Sequence, residues 1–374
     1  MGTVYAWRRA PERERGRRSL ELLRSNVFEL VRTLVAVFLS LLIVFIFIVI
    51  VSKDPVRAYR LFLIGPFARI SRLAEWLNQS IPLLFAGLAV AIVFQANQFS
   101  IGAEGQFLIG ALGATMVALS FPEVDVIHLL VAILAGMLCG ALWGVIPGLL
   151  SAYGLKEGDN LGVLVVSLMM NFIGFYTAYY TINNHFRDIY AGFMASPFIP
   201  STSYLPFLSA RYRINGGLVI AFIIAGLVWY FLYRTKWGYE IRMVGTNIGF
   251  ASFNGINVKR VIIYSNVISA AVAGLAGAIE VTGLHHRYLW QSMPGYGFDG
   301  VIIALIARNN PALVPLSALF VAYLRTGGRV MERGSDVSAE MAMVLESIIV
   351  LLVTAEALLN LWQRKRLKRK VSQR

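Results

Sequence analysis

"NQFSIGAEGQFLIG", Asn97 to Gly110, is a polar and glycine-rich break between two long apolar runs. It carries one carboxylate, Glu104, flanked by Gly102 and Gly105, with Asn97, Gln98, Ser100 and Gln106 close by. Polar groups left unsatisfied in hydrocarbon are costly, so a break of this kind needs a reason. An echo gives one. "YGFDGVIIALIARN", from Tyr296, again sets a glycine, an apolar residue, an acid and a glycine before an apolar run. A weaker echo precedes each motif, "AGLAVAI" from Ala86 and "AGLAGAI" from Ala273.

The surroundings are apolar. Of 374 residues 57% are hydrophobic and 14% charged, against about 25% charged in an ordinary soluble domain. "TLVAVFLSLLIVFIFIVIV", Thr33 to Val51, has no charge and is long enough to cross a hydrocarbon core of about 30 Å. The chain therefore reads as an all-α, polytopic membrane protein. No cleavable signal is evident, because the first span is too long for a signal h-region and no A-x-A-like site follows it. The single cysteine, Cys139, excludes a disulfide framework and a thiolate metal site.

Charge orients the chain. Residues 364–374 hold seven Lys/Arg and no acid, residues 1–30 seven Arg against four Glu, and residues 234–260 five Lys/Arg against one Glu. These three segments account for the net charge of +14. Basic segments beside spans mark the cytoplasmic side, which places both termini and the 234–260 loop inside and disfavours a nucleic-acid partner. Spans are expected near 31–52, 78–96, 103–121, 127–152, 161–183, 215–233, 261–283, 299–309, 312–327 and 340–360. Ten crossings match two cytoplasmic termini. Residues 153–160 then lie inside, and 53–77, 184–214, 284–298 and 328–339 outside. The basic 53–77 segment conflicts with charge and reads as partly helical and interfacial, with snorkelling arginines. The eighth and ninth spans are short and could be re-entrant half-helices.

In this count the Glu104 motif opens an inside-to-outside span and the Asp299 motif an outside-to-inside span. That is the pattern of an inverted-topology repeat, with spans two to five mirrored by seven to ten, and such repeats place solute beside broken helices. Glu104 and Asp299 then sit in the first turns of their helices. Two readings stand: each acid caps its helix and complements the dipole, or it touches a permeating solute. Asn171 and Asn266, inside apolar spans, either bridge helices or line the path. Candidate pathway residues are Asn97, Phe99, Glu104, Gln106, Asn171, Asn266 and Asp299, with Phe172, Phe175 and Tyr176 as stacking surfaces or as packing.

"RTKWGYEIRMVGTNIGFASFNGINVKR", residues 234–260, is too hydrophilic for a span. Ile241, Val244, Ile248 and Ala251 recur at helical spacing, which suits either docking on a soluble partner or a helix lying on the membrane surface. No G-x-x-x-x-G-K-[ST] loop, H-E-x-x-H or G-x-S-x-G elbow occurs, so the chain lacks motifs for cradling ATP, for zinc or for serine hydrolysis. His285 and His286, beside Arg287, read as a polar loop contact or as a small metal or proton site.

Five stretches carry a likeness: "FSIGAEGQFLIGA", "TKWGYEIRMVGTNIGFASFNGINVKR", "SAAVAGLAGAIEVTG", "MPGYGFDGVIIALIARNNP" and "LESIIVLLVTAE". With them the chain resembles the permease subunits of ATP-binding-cassette (ABC) importers for simple sugars and nucleosides, in the branched-chain-amino-acid/ribose/nucleoside permease family, most of all the nucleoside-type branch. The resemblance implies a bacterial inner-membrane permease and not an enzyme. It also implies no cofactor in this chain, with ATP and Mg in partner subunits. Implied partners are two copies of a cytoplasmic ATP-binding subunit or one fused ATPase, a second non-identical permease, and an extracytoplasmic binding (lipo)protein, received in part by the loop from His185. Residues 1–30 and 361–374 would be cytoplasmic segments around a 31–360 permease domain. Gly238, Glu240, Arg242, Gly245 and Asn247 match the family's coupling loop, with Arg242 expected to contact an ATPase groove. Ser100, Leu161, Ile248, Ile306 and Ala307 depart from the family's usual residues. A ribose, galactose or riboflavin permease, or an ion-coupled secondary transporter, are the alternatives.

Overall fold

The computed structural model describes residues 42–351, apart from 44, 51, 122–124, 155–158, 210, 339, 346 and 350. The basic segments 1–30 and 361–374 and most of the first expected span lie outside the described residues, as do part of the tenth span and most of the 153–160 loop. The chain divides into two units, Arg60–Gly334 and a smaller one made of Met1–Tyr59 with Ser335–Arg374. In the smaller unit the Asp336 carboxylate accepts from the Ser52 hydroxyl (2.6 Å) and the Lys53 N–H (2.7 Å), and the rings of Phe45 and Tyr59 meet edge-on at 5.0 Å.

Eleven helices follow in chain order: α1 Pro55–Ile64, α2 Ile70–Gln95, α3 Ala103–Ser120, α4 Asp125–Leu149, α5 Asn160–His185, α6 Gly217–Arg234, α7 Lys236–Thr246, α8 Ile248–Phe253, α9 Val258–Glu280, α10 Tyr296–Ile306 and α11 Val314–Gly334. Among the described residues six segments are long and apolar enough to cross a membrane, built on α2, α3, α4, α5, α6 and α9. Three form the centre. The apolar windows of α2, α3 and α9 are 78%, 78% and 72% buried, whereas those of α4, α5 and α6 are 22%, 33% and 28% buried. A helix that is apolar all round belongs in a core, and the outer three turn leucines such as Leu134, Leu138 and Leu142 outward.

Small residues set the central spacing. Gly136, Gly140, Gly144 and Gly148 recur every four residues on α4 and face Ala278, Gly274, Ala270 and Asn266 of α9. This is a small-residue ridge meeting a small-residue ridge, the usual means of close helix approach in membranes. At the same point of α9, a Cβ at Gly110 of α3 would fall 2.3 Å from the Gly274 Cα. The three helices therefore touch backbone to backbone.

The chain is mostly helical, as expected, with one short hairpin in the expected outer loop, where Phe207–Ser209 and Ile214–Asn215 pair antiparallel. Three expectations are corrected. The second span begins at Ile70 and not at 78, because Glu75 on its first turns has arginine partners (below). The ninth does not stop at 327 but runs to Gly334. Its charges do not end it because Arg325, Arg329 and Arg333, spaced by four, share one face. The eighth begins at Tyr296, and its eleven residues rise about 16 Å, roughly half of a hydrocarbon core.

Candidate functional site

The N-termini of α3 and α10 abut. A Cβ at Gly297, in the first turn of α10, would fall 2.5 Å from the Glu104 backbone nitrogen. Glu104 is fully buried. Its Oε1 accepts from the Gly295 N–H at 2.7 Å and its Oε2 from the Gly297 N–H at 2.5 Å. The acid therefore caps α10 and not its own helix, which corrects the simple capping expectation. The reason lies on α5, which takes over the start of α3. Asn171 Oδ1 accepts from the Gly105 N–H (2.9 Å), Asn171 Nδ2 donates to the Ile101 carbonyl (2.8 Å), and the Ser167 hydroxyl accepts from the Ile101 N–H (3.0 Å). One carboxylate thus lies between two helix N-termini, each carrying a partial positive charge.

Asp299, in the first turn of α10, reaches α11, where its Oδ2 lies 2.6 Å from Arg325 Nη2. The same face of α11 continues with Arg329, which donates to Gln79 Oε1 (3.0 Å) and lies 3.5 Å from Glu75, and with Arg333, 3.6 Å from Glu75. This ladder of arginines against α2 and α10 is not among the candidate residues, although the four-residue spacing of Arg325, Arg329 and Arg333 already puts them on one helical face. Tyr296 and Trp290 meet the Phe107 ring edge-on at 5.2 and 5.3 Å, closing the apolar side of the α3–α10 junction.

The other expected pathway residues lie apart. Asn97, at φ 56°, ends α2 in a left-handed turn; Phe99 stacks on Phe94 at 5.0 Å and is 39% exposed. Gln106 is buried within α3. Asn266 donates to the Ile262 carbonyl of its own helix at 2.9 Å and lies against Gly148 at the α4–α9 seam. His285 Nε2 lies 3.3 Å from the buried Glu280 carboxylate. His286 stacks on Tyr204 at 3.8 Å. Among the described residues no three His, Cys, Asp or Glu side chains converge to hold a metal.

The 234–260 loop forms two helices. Thr235 caps α7 by accepting from the Gly238 N–H (3.1 Å). Asn247 divides the two, because it turns extended (φ −159°) and caps α8 by accepting from the Phe250 N–H (3.0 Å). Ile241, Val244 and Ala251 are buried as one face. Close approach requires two of the glycines. A Cβ at Gly238 would fall 2.1 Å from the Phe231 carbonyl oxygen, and one at Gly245 would fall 1.9 Å from that of Gln95. Glu240 accepts from the Tyr264 hydroxyl at 3.1 Å, and the Arg242 guanidinium lies over the Tyr233 ring at 4.9 Å. A cleft of about 760 Å³ opens beside Trp237, Glu240, Arg260 and Tyr264. Trp237 on its wall (63% exposed) and Phe253 at the end of α8 (92%) offer apolar surface.

Residues 72–354 match the family model described as "Branched-chain amino acid transport system / permease component". The guanosine ABC transporter permease protein of Bacillus subtilis is 32% identical over 301 residues, covering 78% of this chain and 83% of that protein. The glucose ABC transporter permease protein of Haloferax volcanii is 30% identical, covering 83% of each. A nucleoside ABC transporter permease protein of Lactococcus lactis is 26% identical, covering 87% of this chain and 91% of that protein.

Proposed function

Because the chain belongs to the branched-chain amino acid transport system / permease component family, and is therefore a multi-pass membrane permease subunit and not an enzyme, we propose that its solute is a nucleoside. The observation that carries this reading is the likeness, over most of both chains, to a guanosine permease. A second reading, a simple sugar, is favoured by the comparable likeness to a glucose permease.

In this proposal ten helices cross the membrane, and spans two to five are mirrored by spans seven to ten in an inverted-topology repeat. The apposed N-termini of α3 and α10 are its central junction, and Glu104, Asn171 and Asp299 hold that junction beside the solute path. Residues 1–30 and 361–374 are cytoplasmic extensions of a 31–360 permease domain. Two ATP-binding subunits, or one fused ATPase, supply ATP and Mg outside this chain. A second, non-identical permease completes the pore, and an extracytoplasmic binding protein delivers solute. The α7–α8 pair is the coupling element. Gly238 and Gly245 seat it on the transmembrane helices, Asn247 sets its bend, Glu240 ties it to α9, and Arg242 with exposed Trp237 and Phe253 meets the ATPase.

Purification of the tagged chain from its own cells in mild detergent, followed by mass spectrometry, tests this. The expected result is a second permease in an amount near that of this chain, with an ATPase at two copies, or one if fused, for each. Recovery of this chain alone, at yields where other complexes survive, would instead support a secondary transporter.

A further inference from the structure

A second polar site lies away from the α3–α10 junction. Between the C-terminal ends of α2 and α10 and the first turn of α5 is a cavity of about 260 Å³, walled by Phe94, Gln98, Phe99, Asn160, Leu305 and Asn309. It is slightly smaller than the range of about 300–1,000 Å³ typical of small-molecule pockets. Three of its walls are amides whose oxygens are enclosed and accept no hydrogen bond: Gln98 Oε1, Asn160 Oδ1 and Asn309 Oδ1. Gln98 is only 3% exposed. Buried polar atoms without partners are uncommon in native proteins, and three around one cavity call for a ligand rich in hydrogen-bond donors. The remaining wall is flat and aromatic. Phe99 is backed by Phe94 at 5.0 Å and 23° between planes, which leaves its own ring 39% exposed.

The cavity is also wired to α7. Gln95 Nε2 donates to the Asn309 carbonyl at 2.7 Å. Gly245 of α7 packs on this same Gln95: a Cβ there would fall 1.9 Å from its carbonyl oxygen and 3.3 Å from the Asn97 nitrogen. Any displacement of α7 therefore presses directly on a cavity wall.

We propose that this cavity is an inner solute subsite, which takes the donor edge of a nucleobase on Gln98, Asn160 and Asn309 and its face on Phe99, and which empties when α7 moves. The inference rests on the nucleoside reading above and deepens it. A purine with an exocyclic amine and a ring N–H offers donors to the amide oxygens and a flat face to the ring. A hexose offers the donors without the face.

The test uses the complete complex reconstituted in vesicles, with tritiated guanosine as probe and inosine, which lacks the exocyclic amine, and ribose as competitors. Gln98→Met keeps the side chain's length and removes the amide. It should raise the KM for guanosine about tenfold, the size of one lost hydrogen bond, and should narrow the preference for guanosine over inosine. Gln98→Glu, which keeps the acceptor, should retain that preference. Phe99→Ala, at a partly exposed position that tolerates truncation, should raise the KM for guanosine and inosine alike. Wild-type KM and selectivity in Gln98→Met and Phe99→Ala would mean that the cavity holds only water, and would overturn the subsite while leaving the nucleoside reading intact. A wild-type complex that carries no nucleoside would overturn both.

Discussion

Replacing Glu104 with alanine is expected to destabilise the permease and abolish uptake. Its two carboxylate oxygens hold the Gly295 and Gly297 N–H groups at the start of α10, and the side chain is fully buried. Truncation leaves one buried donor, Gly297, and one half-buried donor, Gly295, without acceptors, each costing about 1–3 kcal/mol, and opens a cavity between two helix ends whose positive partial charges then oppose each other. A loss of about 2–6 kcal/mol follows from the donors alone. Glu104→Gln keeps one acceptor oxygen but turns an NH2 group toward the other N–H, so its loss should be smaller. Glu104→Asp keeps the charge but is too short by one methylene to reach both donors. The order of thermal stability in detergent should be wild type, then Gln and Asp, then Ala, with uptake falling in the same order. An alanine variant as stable and as active as wild type would mean that α10 is held in place by other contacts.

Gly245→Val is expected to separate ATP hydrolysis from transport. The substituted Cβ would meet the Gln95 carbonyl oxygen at 1.9 Å, far inside van der Waals contact. Because that atom belongs to the backbone at the end of α2, it cannot swing aside as a side chain would. The α7 helix must lift, taking the buried Ile241 and Val244 with it. Since α7 lies outside the six apolar segments, membrane insertion should be unchanged, while uptake should fall to background even where ATPase subunits still copurify and turn over. Gly226→Ala is the matched control: nothing lies within 4 Å of a Cβ there, and alanine is favoured over glycine in a helix interior by roughly 1 kcal/mol. Normal uptake by Gly245→Val would remove α7 from the coupling path.

What the sequence made legible was local. Long uncharged runs announced the membrane helices, and the glycine–acid–glycine motifs placed Glu104 and Asp299 in the first turns of α3 and α10. The spacing of Ile241, Val244, Ile248 and Ala251 marked the apolar positions of the α7–α8 pair, of which Ile241, Val244 and Ala251 are buried and Ile248 is half-buried. What it did not disclose was partnership across distance. Nothing near Glu104 indicates that its acceptors serve Gly295 and Gly297, nearly two hundred residues later, or that Asn171 takes over the cap that Glu104 leaves free. The α4 glycines were visible as a four-residue repeat, but their facing partners on α9 depend on how the helices assemble. Helix α11 runs past the expected end of the ninth span for a physical reason: charged side chains within a membrane segment pair with polar partners, and Glu75, Gln79 and Asp299 supply them from two other helices.

The most direct test of the whole account is solute accumulation by vesicles containing the complex purified through this chain, with its binding protein present, energised by ATP or by an imposed ion gradient. Tritiated guanosine should accumulate only when ATP is supplied to the ATPase side, with unlabelled nucleosides competing and ribose, galactose and glucose failing to compete. Accumulation that follows the ion gradient without ATP would contradict the ABC-importer account. ATP-driven accumulation of a hexose, with no nucleoside taken up, would contradict the nucleoside assignment while leaving the permease role in place.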